Sequence, residues 1–190
     1  MTNAVIVHGS PTHEEYYDEN YPSCSNSHWV PWLQKQLLIR NIPAATPEMP
    51  DAWNPQYPIW QREFERFDIN DETILVGHSC GGGFLLRWLS EHRDVRVGKV
   101  ILIAPWLDPQ ERRAPQFFEF DLDRKLASRT KGLIVMNSDN DIEEVQETVR
   151  IVLEELDDVD YREFHEYGHF CADDLGGDAF PELMELIVGA

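Results

Sequence analysis

The chain has 190 residues, 42% of them apolar and 27% charged, so it is long enough for one core that withdraws about 70% of the unfolded surface from water. Thirty-five acidic against sixteen basic side chains leave a formal charge of −19, a field that repels nucleic-acid phosphates and anionic lipid surfaces, and neither is an expected partner. The first apolar stretch, Ala4 to Val7, is too short for a signal core or a membrane span, and Cys24, Cys80 and Cys171 lack the C-x-x-C spacing of a disulfide or zinc framework, so the expected location is the reducing cytoplasm.

Val5-Ile6-Val7 reads as a short buried strand closed by His8-Gly9-Ser10-Pro11. Residues 11–27 are polar and aperiodic, and the spacing predicts a long loop there. Trp29, Trp32, Leu33, Leu37 and Leu38 recur at helical spacing up to about Asn41, before Pro43. A weak strand over residues 42–46 and a Pro-rich loop to Pro58 precede a helix carrying Ile59, Trp60, Phe64 and Phe67. Strands are expected at 73–76, 97–104 and 132–136, helices from Phe84 and over 142–156, a short alternating strand at 161–165, and a closing helix over 181–188 begun by Pro181. The loop at 105–120 is crowded with aromatic residues. Six strands alternating with helices predict an α/β fold in one domain over residues 1–190, a mostly parallel sheet covered by helices on both faces, with no cap domain.

Between the strand at 73–76 and the next helix lies Gly77-His78-Ser79-Cys80-Gly81. A strand-to-helix turn this tight forces its serine into a strained backbone, and glycine at minus two and plus two avoids the clashes. It would present the Ser79 hydroxyl above the carboxyl end of the strand as a nucleophile. The helix start beneath it offers the Cys80 backbone N–H to an oxyanion. A second donor is expected from the loop after the first strand, where Pro11 has no N–H and Ser10 is the candidate.

A serine needs a base, and the base needs an acid. Asn137-Ser138-Asp139-Asn140-Asp141 leaves the fifth strand with two aspartates, His165-Glu166-Tyr167-Gly168-His169-Phe170 leaves the sixth, and Asp108 after the fourth strand is a third acid. The second of these stretches also matches H-E-x-x-H, a zinc motif in which His165 and His169 would ligate and Glu166 would activate water. That motif needs a helix, whereas Gly168 lies inside it and Tyr161 to Phe164 lead into it as a strand, so no metal ligands and no cofactor are expected.

The chain resembles the α/β-hydrolase superfamily, and within it the small serine-hydrolase family that includes retinoblastoma-binding protein nine and its bacterial relatives. The resemblance spans nearly the whole chain and rests on VIVHG, HWVPWLQKQL, Pro47 to Pro50, ILVGHSCGG, the S-x-x-D of Ser138 to Asp141, and Gly168-His169-Phe170. It implies a six-stranded sheet in the order 2-1-3-4-5-6, Ser79 as nucleophile, Asp141 in preference to Asp139 as orienting acid, and His169 as base. The expected substrate is a small ester or amide with an apolar acyl or aryl group, bound beneath the loops at 11–27 and 105–120. The alternative from another class is a protein-binding module that keeps this fold without turnover; no protein partner is readable from the residues.

Overall fold

The apolar runs pair as the pattern predicts. In the computed structural model, which describes residues 1–189, β1 (Ala4–Val7), β2 (Ala44–Ala45), β3 (Ile74–His78), β4 (Val100–Ile103), β5 (Leu133–Ser138) and β6 (Asp160–Phe164) form one parallel sheet in the order β2-β1-β3-β4-β5-β6. The central strands β1, β3, β4 and β5 are buried at every position, the mark of strands covered on both faces. At the edge, β6 carries Asp160, Arg162 and Glu163 outward, charges that blunt its pairing to another chain.

The chain steps from β1 outward to β2 and then back across β1 to β3. With right-handed crossovers this reversal sends α2 (Val30–Leu38) to one face and α3 (Tyr57–Phe64), α4 (Cys80–Glu91) and α5 (Glu143–Glu155) to the other. The aromatic contacts agree. On the first face Trp29 meets Phe180, at the start of α7 (Pro181–Val188), with ring centroids 5.9 Å apart. On the second, Trp60 and Phe64 of α3 meet Phe84 of α4 at 5.7 and 5.4 Å. Edge-to-face pairs of this kind add about 0.5–1.5 kcal/mol each beyond the apolar area they bury.

One sequence expectation is corrected. The segment 11–27 is not one loop: it contains α1 (His13–Tyr17) and a 3-10 turn over Cys24–Asn26. The reason is a capping box, in which the Thr12 hydroxyl accepts from the Glu15 N–H while the Glu15 carboxylate accepts from the Thr12 N–H. Ala172–Leu175 forms a one-turn helix, α6, closed by left-handed Gly176. Within the 105–120 loop, Phe117 packs into the core against Trp60 and Phe84. Elsewhere the expected elements stand with ends moved by one to four residues.

Candidate active site

The registers Val7↔Gly77, His78↔Ile103 and Ser138↔Phe164 align the carboxyl ends of five strands along one edge, where α/β sheets bind ligands. Ser79 stands there between β3 and α4, with φ 53° and ψ −119°, a backbone that non-glycine residues adopt only when their surroundings impose it. The surroundings are close-packed. A Cβ on Gly77 would lie 2.7 Å from the Gly81 carbonyl oxygen, and one on Gly81 would lie 2.3 Å from that of Val7, so both glycines flanking the serine are required by contact. The Ser79 carbonyl accepts from Gly83 N–H at 3.1 Å and from Trp106 N–H at 3.1 Å, which fastens the turn at both sides.

His169 and Asp141 meet across the same edge. The Nδ1 of His169 lies 2.9 and 3.0 Å from the two Asp141 oxygens, and the Asp141 side chain is fully withdrawn from solvent. Because Nδ1–H donates to that carboxylate, Nε2 keeps its lone pair. Hydrogen bonds between the two loops hold this pair: Tyr167 N–H donates to Ser138 Oγ at 2.9 Å, Ser138 Oγ donates to Asn140 Oδ1 at 2.7 Å, and Gly168 N–H donates to the same Asn140 oxygen at 2.8 Å. Asp174 at the start of α6 accepts from the N–H groups of His169 and Cys171, each at 3.0 Å. Beneath the histidine, buried His78 donates from Nε2 to the His169 carbonyl at 2.8 Å, and Trp29 donates to the next carbonyl, that of Phe170.

The other two acids have different work. Asp139 is exposed and pairs with His165 at 2.5 Å. Asp108, buried and in a left-handed conformation, accepts from the N–H groups of Arg112, Arg113 and Ala114 at 3.1, 2.8 and 2.7 Å, and so shapes the 109–114 loop. The helix that H-E-x-x-H requires is missing: Glu166, Gly168 and Phe170 have φ of 60°, 50° and 57°, and His165 and His169 turn to different aspartates. Among the described residues the one three-member group of metal-ligand type is His8, Cys24 and Glu48. It lacks a free imidazole, since His8 Nδ1–H donates to the Gly9 carbonyl and Nε2 accepts from Met49 N–H at 2.9 Å.

Ser10 lines the same recesses as Ser79, and Cys80 follows that serine in the chain. A Cβ on Gly9 would stand 3.1 Å from Ser79 Cβ, so the loop after β1 passes against the serine. Cys80 occupies the first turn of α4, where backbone N–H groups have no intrahelical acceptor. Its thiol is buried, and burial pushes it up to about 12, so it stays protonated and unreactive at neutral pH.

Two recesses flank this centre and share Ser10, Pro11, Ser79 and His169. The first, about 480 Å³, is walled by Trp53, Pro55, Trp106, Ile142 and Val145, with Arg113 at its margin. The second, about 310 Å³, is lined by polar groups that include Glu15, His28, His78 and Asp173. Sequence reasoning missed Trp53 and His28. Trp53 lies in a Pro-rich loop without periodicity, and His28 is brought in by a left-handed backbone, φ 54°, at a residue type with no such signature.

Parallel β-sheet, strained serine turn and loops gathered at the carboxyl edge define an α/β hydrolase. The sequence pattern of the serine hydrolase family matches residues 19–187, and the chain belongs to that family. It is 27% identical over 184 residues to the YdeN protein of Bacillus subtilis strain 168, covering 93% of this chain and 95% of that one. The crystal structure of the B. subtilis ydeN product superposes with a TM-score of 0.81 at 23% identity, covering 98% and 97% of the two chains. A pyrethroid hydrolase from Sphingobium faniae superposes at 0.62 with 12% identity, covering 98% and 95%. No helix among the described residues is long and apolar enough to cross a membrane.

Proposed function

We propose that the chain is a carboxylesterase-like serine hydrolase that cleaves a small ester or amide through an acyl-enzyme, with Ser79 as nucleophile, His169 as general base and Asp141 as the acid that orients it. The observation that carries this reading is the buried Asp141 carboxylate on His169 Nδ1, beside a serine held at positive φ in the same recesses. Nε2 of His169 takes the Ser79 proton as Oγ attacks the carbonyl carbon. The oxyanion of the tetrahedral intermediate accepts from the N–H groups of Cys80 and Ser10, at the positive end of α4. His169 returns the proton to the departing alcohol or amine, and a water activated by the same base releases the acid.

The first recess, with Trp53 and Trp106 as its walls, suits the apolar acyl or aryl group. The three cysteines are free thiols, which fits a reducing, cytoplasmic setting. The test is covalent labelling by a fluorophosphonate. Wild type is expected to label and Ser79→Ala not to; absence of labelling in both points instead to a binding module, and chelator-sensitive hydrolysis indifferent to Ser79→Ala would establish the zinc chemistry.

A further inference from the structure

Ser79 and His169 stand on loops that leave different strands, β3 and β6, and a proton passes between them only if the two loops are held at the right separation. The base is tied to Asp141, and its loop to Asn140 and to Asp174 of α6. None of these bonds reaches the turn that carries the serine. Among the described residues, one hydrogen bond joins residues 77–83 to residues 165–171: His78 Nε2–H donates to the His169 carbonyl at 2.8 Å. It links the residue before the nucleophile to the residue that bears the base.

Both ends of this bond are fixed. His78 closes β3 and pairs in register with Ile103 of β4, so the sheet sets its backbone. Its side chain is buried, and its ring packs against those of His169, Trp29 and His28 with centroids 5.0, 5.7 and 6.3 Å away. The His169 carbonyl has one further donor, the Cys171 thiol at 3.9 Å, and a thiol is a weak one. Because the partner is a carbonyl, Nε2 must carry the proton. Burial, and then the nearness of His169, hold the ring well below the ordinary range, so His78 is neutral and its one N–H is committed to this bond. A neutral ring also leaves unopposed the positive charge that His169 takes on with the serine proton.

We propose that His78 is a positioning residue for the hydrolysis: through the His169 carbonyl it sets the separation of the base from Ser79, while Asp141 sets the tautomer and direction of the same imidazole. The two tasks are distinct. Asp141 grips Nδ1 from the β5 side and has no bond to the serine turn, so it can orient the ring without fixing how far the ring stands from the nucleophile. His78 has no bond to the imidazole nitrogens and acts on the backbone that carries them. A misplacement of about 1 Å in such a constellation can cost on the order of 10²-fold in rate. This inference rests on the hydrolase reading of Ser79, His169 and Asp141.

The experiment compares His78→Gln, whose amide nitrogen can stand where Nε2 does, with His78→Phe, which keeps a ring and has no donor. Both are assayed on a p-nitrophenyl ester well below their melting temperatures. His78→Phe is expected to lower kcat by about 10–100-fold with KM within about twofold, and His78→Gln to recover kcat to within about threefold of wild type. The low-field proton resonance of the His169–Asp141 hydrogen bond should persist in both, since that contact is left in place. If His78→Phe does not fold, His78→Asn replaces it with the same expectation, because its amide stops one methylene short of the carbonyl. Four results would overturn the proposal: a donorless variant within about threefold of wild-type kcat, a loss in His78→Gln equal to that of the donorless variant, disappearance of the low-field resonance together with activity, or a loss as large as that of His169→Ala, which would make His78 a catalytic group. Fluorophosphonate labelling of wild type keeps the two levels apart. Without it the hydrolase reading falls and takes this role with it; with it, the variants judge His78 alone.

Discussion

Two histidine–aspartate pairs lie on the same two loops, the histidines four residues apart and the aspartates two, and only His169 shares a recess with Ser79. His165–Asp139 is the shorter, at 2.5 Å, with 79% of the histidine and 40% of the aspartate side chain exposed. His169–Asp141, at 2.9 Å, has 27% and 0% exposed. Distance alone would favour the outer pair. What separates them is solvent and company: water screens the outer pair to little net worth, whereas the inner carboxylate is dry and touches the imidazole through both oxygens, and that imidazole shares two recesses with Ser79. A buried acid fixes a tautomer; an exposed one decorates a loop.

The largest effect expected is at the reacting atoms. Ser79→Ala and His169→Ala should each lower kcat by roughly 10⁴–10⁶ on a p-nitrophenyl ester, with melting temperature little changed, since members of such a unit fail together. A loss below tenfold for either would break the contrast between the two pairs. Next comes Ser138→Ala. It orphans the Tyr167 N–H and releases Asn140, so stability should fall by about 1–3 kcal/mol, and kcat should fall about tenfold with KM nearly steady, because the loops that seat the pair lose their stitch.

The pH dependence of stability separates buried from exposed histidines. Burial lowers the rings of His8 and His78 below 6.5. The unfolded chain therefore takes up protons as pH falls through 6.5 while the native protein does not, so stability is full above that value and declines below it. Each such ring removes up to about 1.4 kcal/mol per pH unit, and the melting temperature should drop several degrees between pH 7.5 and 5.5. His165 runs the other way. Its hydrogen bond to Asp139 raises its pKa, so its small contribution is present below 6.5 and disappears as pH rises through the raised value. A flat melting temperature over that interval would contradict the burial of His8 and His78. The smallest effects belong to the outer pair: His165→Gln and Glu166→Gln should each leave kcat/KM within about twofold, and a loss equal to that of His169→Ala would reopen the metal reading.

The fold was legible because its signals are local and strong. Val5 to Val7, Ile74 to Val76, Val100 to Ile103 and Leu133 to Met136 are continuous apolar runs, and Gly77 to Gly81 has a spacing that steric contact enforces. The zinc match at 165–169 could be set aside from Gly168 and the strand before it. Only the family resemblance favours Asp141 over Asp139, because two aspartates leaving one turn differ in burial, which spacing does not encode. Asp108 is a third candidate by its place after the fourth strand; its three backbone donors follow from how the chain turns through residues 109–114. Thr12 and Glu15 did carry their capping box in the sequence, and the polar surroundings hid it. The second recess was the least legible part, since Glu15, His28, His78 and Asp173 come from four separate segments.

The most direct test is kcat/KM for Asp141→Asn against Asp139→Asn on the same p-nitrophenyl ester. With Asn on His169 Nδ1 the wrong tautomer is held, and a loss on the order of 10⁴-fold is expected, while Asp139→Asn stays within about twofold of wild type. The reverse ranking, with Asp139→Asn the crippling change, would contradict the assignment of the site to the buried pair.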